Sequence, residues 1–299
     1  MGKALFDALA PARAVFAEVD DALSQPLSKL MFEGPESELT LTANAQPALM
    51  AVSLAAIRAL EAECGLDLAR EAAFVAGHSL GEYSALASAG ALTVSDTARL
   101  LRIRGDAMQK AVPVGEGAMA ALLGADLDQA RAVAQEAATA AQGVCQVAND
   151  NGGGQVVISG AKAAVEQAIN IAREKGIKRA VLLPVSAPFH CALMQPAADA
   201  MRDALADAAI SPPCVPVIAN VTAAPTQDPE AIRRLLVEQV TGAVRWRECV
   251  AHMAAQGVTK FIECGSGKVL AGLLKRIAPQ AAGMSVGAPA DFEAYRAFV

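Results

Sequence analysis

Apolar positions in the first third of the chain recur at helical spacing. Phe6, Leu9, Ala10, Phe16 and Val19 share a face between Met1 and Leu23, with Arg13 on the same stripe and Glu18, Asp20 and Asp21 interspersed. That pattern predicts an amphipathic helix. Residues 44–65 predict a second helix with Leu49, Val52, Leu54, Ile57 and Leu60 as its core face. Ala73 to Ala76 is a short apolar run ending at Gly77, as in a buried strand, and a helix follows from Gly81 to Ala89. Ser95 is the expected cap of the next helix, which runs to Ala111 before Pro113. On that helix Thr97, Leu100, Leu101, Arg104, Ala107, Met108 and Ala111 fall on one face, so Arg104 sits within an apolar stripe. Arg99 and Arg102 fall outside it.

The pattern changes between Gly117 and Pro184. Strands are predicted at Ala118–Leu123, Val144–Ala148, Val156–Ser159 and Arg179–Leu183, with helices at Asp126–Ala141 and Ala161–Lys175 and a turn at Asn149–Gly154. The order β-α-β-β-α-β is that of a ferredoxin-like unit. The chain therefore reads as α/β: a small ferredoxin-like domain over 115–184, inserted in a larger hydrolase-like α/β domain formed by 1–114 and 185–299. Pro216–Asn220 and Lys260–Glu263 are further strands of its parallel sheet.

Composition narrows the function. Hydrophobic residues make up 54% of the 299 and aromatics 4%, so the core is built from Ala, Val, Leu and Ile. A net charge of -6 argues against nucleic-acid binding, which needs a basic surface. Cys64, Cys145, Cys191, Cys214, Cys249 and Cys264 are scattered without a C-x-x-C pair, which fits reduced thiols in the cytoplasm and neither a disulfide framework nor a metal site. The longest apolar stretch, Ala48 to Ile57, is far too short for a bilayer.

The candidate chemistry begins at Gly77-His78-Ser79-Leu80-Gly81, a G-x-S-x-G motif between a predicted strand and a predicted helix. That context defines a nucleophile elbow: the glycines permit a sharp turn, Ser79 projects from it, and the Leu80 N–H is aimed at an oxyanion. A serine nucleophile needs a base. His78 adjoins Ser79 and reads as pocket wall, and His252 lies on a predicted helix. His190 lies in a loop straight after a strand and is the candidate. A guanidinium facing inward at Arg104 requires an anion. That anion is either a substrate carboxylate, which arginine binds with two bonds in one plane, or a core Asp or Glu.

These segments resemble the malonyl-CoA:acyl carrier protein transacylases and the acyltransferase domains of fatty acid and polyketide synthases, over nearly the whole chain. The resemblance rests on Gly-His-Ser-Leu-Gly-Glu-Tyr-Ser-Ala-Leu at 77–86, Arg-Gly-Asp-Ala-Met-Gln at 104–109, the opening of the small domain at 117–121, Asn149 to Gly160, Pro184 to Cys191, Gln239 before Val244-Arg245-Trp246, and residues 263–270. It implies transfer of malonyl from malonyl-CoA to the phosphopantetheine thiol of acyl carrier protein, through a Ser79 ester, for fatty acid synthesis. By the same resemblance His190 is the base, the Gln239 backbone carbonyl orients it, Arg104 binds the malonyl carboxylate, and Phe189 is the type found in malonyl-selective members. No cofactor is implied, since the CoA thioester is a substrate. The partners are malonyl-CoA and acyl carrier protein, with no nucleic acid, membrane or metal. Lys175, Lys178, Arg179, Lys268, Lys275 and Arg276 are candidates for a basic patch facing an acidic carrier protein.

One departure stands out. The family carries a strand and a Gly-Gln-Gly-Ser-Gln loop ahead of a stretch like Met1-Gly2-Lys3, and these 299 residues do not contain them. The loop supplies an oxyanion donor in the family, so Leu80 is left as the one donor named here. A late-assigned start or a trimmed chain is the expectation, with sheet edge and apolar surface left uncovered. Two alternatives stay open: a serine thioesterase or esterase, which wants an acid behind His190, and a truncated, non-catalytic remnant that binds carrier protein.

Overall fold

The computed structural model describes residues 1–177 and 179–299. Its spine is the helix Thr42–Cys64, whose alanines at 48, 51, 55, 56 and 59 are all fully buried. Small side chains let neighbouring helices approach closely, and Ala10–Leu23 and Val94–Ala111 pack against this one. The predicted first helix is two, Lys3–Ala8 and Ala10–Leu23, broken at an extended Leu9. The cause is Pro11, which has no N–H to continue the ladder. The cap of Val94–Ala111 is Thr93 rather than Ser95: the Thr93 side chain accepts from the Asp96 N–H at 3.0 Å, while Ser95 lies in the first turn and donates to Glu18.

The strands, in chain order, are β1 Val75–Ala76, β2 Gly117–Leu123, β3 Cys145–Asp150, β4 Gln155–Ala161, β5 Arg179–Leu182, β6 Val217–Ile218, β7 Pro225–Thr226, β8 Lys260–Cys264 and β9 Ala282–Val286. They form three sheets: β1-β6-β7, β3-β4-β2-β5 and β8-β9. β7 and β9 were not among the predicted strands.

The four-stranded sheet is antiparallel, and alternate residues of its strands face opposite ways. Ala120, Leu122, Val156 and Ile158 pack under the helices Leu127–Ala140 and Lys162–Glu174. Met119, Ala121, Ala148 and Val157 form a separate cluster joined by Phe189. A bridge from Asn149 to Val244 links this sheet to the rest of the molecule.

The parallel pairs β1–β6 and β8–β9 do not meet. A cavity of about 940 Å³ lies between them, lined by Leu54, Phe74, Leu80, Phe261, Ile262 and Met284 among others. The cavity reaches the elbow itself, since Gly77, His78 and Gly81 also line it. Among the described residues no helix is long and apolar enough to cross a membrane. Burial pushes the thiols of Cys145, Cys249 and Cys264 up to about 12, which keeps them protonated and inert.

Candidate active site

The turn after β1 is tight because Gly77 lets it be. A Cβ there would lie 1.9 Å from the Gly81 carbonyl oxygen, whereas a Cβ on Gly81 would meet nothing within 4 Å. Only the first glycine of the motif is required by space. Ser79 follows with φ 54° and ψ -113°. A non-glycine residue held there costs about 1–3 kcal/mol and persists only where its surroundings over-determine it. Side chains from distant segments hold both of its backbone groups: Asn220 Oδ1 accepts from Ser79 N at 2.7 Å, and Gln239 Nε2 donates to Ser79 O at 3.0 Å. The helix Leu80–Ser88 starts at once, and the Leu80 N–H finds no acceptor among the described residues. It is free to meet an anion at the positive end of the helix.

Ser79 Oγ lies 2.8 Å from His190 Nε2. His190 Nδ1 faces two carbonyl oxygens, Gln239 O at 2.9 Å and Gly242 O at 3.1 Å. Carbonyls only accept, so Nδ1 carries the proton and Nε2 is left to accept from the serine hydroxyl. His190 is 4% exposed. Burial first, and the Arg104 charge second, push it down to about 3, so the imidazole is neutral at physiological pH.

Arg104, 1% exposed, donates through Nη1 to Gln46 Oε1 at 2.6 Å and through Nη2 to Gln239 Oε1 at 2.9 Å and Ser79 Oγ at 3.1 Å. Its Nε has no partner, and no carboxylate among the described residues lies within 4.0 Å of it. Of the two anions expected for Arg104, a direct core ion pair is absent. The buried carboxylate nearby, Glu82, sits behind Gln239, which donates to it at 2.8 Å. Burial raises Glu82 to about 7 even though Asn220, Gln239 and Arg104 all favour its charge.

The structure thus brings Ser79, His190, Arg104 and Gln239 together, with the Leu80 N–H beside them. His78 lines the cavity behind the elbow: its Nε2 meets Asn151 Oδ1 at 2.9 Å in the turn after β3, and its ring lies 5.7 Å from Trp246. Phe189 is half-buried between the small sheet, on the face away from its helices, and the main core. His252 is half-buried against Phe74, 6.1 Å between ring centres, away from the site. Lys178 lies outside the described residues. Sequence reasoning missed Gln46, Glu82 and Asn220. The readable signal for the first two was a polar residue on an apolar helix: Glu82 is 3% exposed and followed by buried Tyr83 to Ala87.

A hydroxyl hydrogen-bonded to a neutral imidazole and to a buried cation is equipped for acyl transfer involving an acyl group that carries a negative charge. The profile of the acyl transferase domain family matches residues 1–288. This chain belongs to that family. The malonyl CoA-acyl carrier protein transacylase of Bacillus subtilis strain 168 is 44% identical over 293 residues, 98% of this chain and 90% of its own. An acyl-carrier-protein-S-malonyltransferase from Bartonella henselae has a solved structure that superposes with a TM-score of 0.95 at 58% identity, covering 99% of this chain and 93% of that one. A malonyl-transacylase solved in complex with its holo acyl carrier protein, from a type II polyketide system, matches with a TM-score of 0.93 at 41% identity, over 98% of this chain and 93% of that one.

Proposed function

We propose that this acyltransferase moves the malonyl group of malonyl-CoA to the phosphopantetheine thiol of acyl carrier protein through an ester on Ser79, supplying extender units for fatty acid synthesis. One observation carries the reading: Ser79 Oγ is at once 2.8 Å from His190 Nε2 and 3.1 Å from Arg104 Nη2. His190 takes the serine proton as Oγ attacks the thioester carbonyl. The Leu80 N–H receives the oxyanion, and the proton leaves with the CoA thiol. The carrier thiol then runs the same steps in reverse. Splitting one thiol exchange into two acyl transfers is what covalent catalysis achieves. Gln239 O fixes the imidazole tautomer where other serine enzymes use an acid. Arg104 binds the distal carboxylate.

The partner relations of the relatives support a carrier protein here, with exposed Lys268, Lys275 and Arg276 as the facing cations. Lys175 is engaged by Glu136 at 2.9 Å. We further read the molecule as a hydrolase-like α/β domain, 1–114 and 185–299, carrying a ferredoxin-like insertion at 115–184. The strand order β3-β4-β2-β5 and a separate apolar cluster under two helices support this. We place the enzyme in the cytoplasm, where free thiols stay reduced.

The test is a transfer assay with malonyl-CoA and holo acyl carrier protein. Malonyl-carrier is the expected product. Free malonate in its place would make the chain a thioesterase, a reading already weakened by carbonyls, not an acid, behind His190.

A further inference from the structure

Two hydrogen bonds under the elbow converge on one atom. Glu82 Oε2 accepts from the Asn220 backbone N–H at 3.0 Å and from Gln239 Nε2 at 2.8 Å. Asn220 and Gln239 are also the residues that grip Ser79 by its N–H and its carbonyl. Asn220 Nδ2 further donates to Gly77 O at 2.8 Å. Gln239 further accepts from Arg104 through Oε1 and from His190 through its backbone carbonyl. One carboxylate oxygen therefore ties together every segment that sets the nucleophile, its base and the buried cation. All three residues are nearly or fully buried, with Glu82 at 3% and Asn220 and Gln239 at 0% exposure.

We infer that Glu82 is a positioning residue, whose single oxygen fixes Asn220 and Gln239 so that these in turn hold Ser79 in its strained, reactive conformation. The inference rests on the Ser79 ester proposed above and names what keeps that serine in place. The argument is geometric. Ser79 has positive φ and relaxes unless both its backbone groups are held. Asn220 and Gln239 each hold one, and Glu82 fixes the first by its backbone N–H and the second by its side-chain amide. Glu82 reaches both from the first turn of the helix that the elbow itself begins. The role needs an acceptor oxygen at that reach. Because both donors meet on one oxygen, a neutral amide with one oxygen suffices, whereas a carboxylate one methylene shorter does not reach.

Glu82→Gln and Glu82→Asp separate these requirements. Each variant is read by the rate constant for malonylation of Ser79 at saturating malonyl-CoA, by the KM, and by the rate at which phenylmethylsulfonyl fluoride inactivates Ser79. Glu82→Gln is expected within about threefold of the native rates. Glu82→Asp is expected to fall by roughly ten- to a hundredfold in both rate constants, with KM unchanged, as follows from one or two buried donors losing their acceptor. The reverse order, an active Asp variant and a crippled Gln variant, would mean that the charge matters rather than the reach, and would overturn the inference. Equal losses in both, or no loss in either, would overturn it too. If the native chain never malonylates, the proposed function falls. The sulfonyl fluoride rates still decide the role of Glu82, since that reagent needs only a positioned serine.

Discussion

Replacing Arg104 by alanine should change which acyl group the enzyme accepts. The guanidinium is 1% exposed and carries no direct ion pair, so its charge is available to a substrate carboxylate. Removing one partner of a buried charge pair costs about 3–5 kcal/mol. At 1.36 kcal/mol per tenfold, malonyl transfer should fall by ~100- to several-thousand-fold in kcat/KM. The truncation also leaves Gln46 Oε1 and Gln239 Oε1 without their donor. That damage is common to every acyl group, so the ratio of malonyl to acetyl transfer isolates the carboxylate contact. The assay is quenched-flow acylation with labelled malonyl-CoA and acetyl-CoA, native against variant. The ratio should collapse by about the factor above, with acetyl transfer losing only the shared part. Arg104→Lys, which keeps a charge but loses the planar fork, should fall between. Equal losses for malonyl and acetyl would refute the argument and make Arg104 a purely structural cation.

Other predictions follow from the same geometry. Gly77→Ala should abolish the active fold, since the added carbon lies 1.9 Å from a backbone oxygen, while Gly81→Ala should fold normally and gain up to about 1 kcal/mol in thermal unfolding from helix propensity. The pH dependence of stability should hold two opposing slopes. Glu82, raised from 4.5 to about 7, keeps a proton when folded that the unfolded chain releases, so it lowers stability as pH rises from 4.5 to 7. His190, lowered from 6.5 to about 3, does the opposite between 3 and 6.5. Arg104, Tyr83 and Cys249 are the ionisable groups coupled to Glu82. In urea unfolding, Glu82→Gln should therefore gain roughly 3 kcal/mol over the native chain between pH 4.5 and 7, and parallel profiles would remove the buried carboxyl from the account. Reversing charge at Lys275 and Arg276 should raise the KM for acyl carrier protein at low salt and leave malonylation by malonyl-CoA alone unchanged. An unaltered KM would move the docking face elsewhere.

The elbow was legible because its two flanks are periodic: an apolar run ending at Gly77 and a helix starting just after Ser79. Arg104 was legible because an arginine within a stripe of seven positions violates the pattern around it. The β-α-β-β-α-β order was legible because short apolar runs are separated by two helical stretches, the first opened by a full capping box at Asp126. Asn220 was not, and of Glu82 only its burial on an apolar helix could be read, not the partners that bond it. Their work is hydrogen bonding across 138 and more positions of sequence, and spacing carries no trace of it. β9 escaped because Ala282-Gly283-Met284-Ser285-Val286 is weak in β-formers and forms by pairing with β8. Thr93 lost to Ser95 as the expected cap because both are good cap residues, and the difference lies in which one meets the Asp96 N–H. Gln239 was assigned by resemblance for its backbone carbonyl alone, yet its side chain also grips Ser79, Glu82 and Arg104.

The central claim, a malonyl ester on Ser79 that acyl carrier protein discharges, is tested most directly by intact-protein mass after exposure to malonyl-CoA, with Ser79→Ala alongside. The account predicts one malonyl increment on the native chain, none on the variant, and its disappearance when holo acyl carrier protein is added. A folded native chain that gains no mass, or an increment that persists on Ser79→Ala, would contradict it.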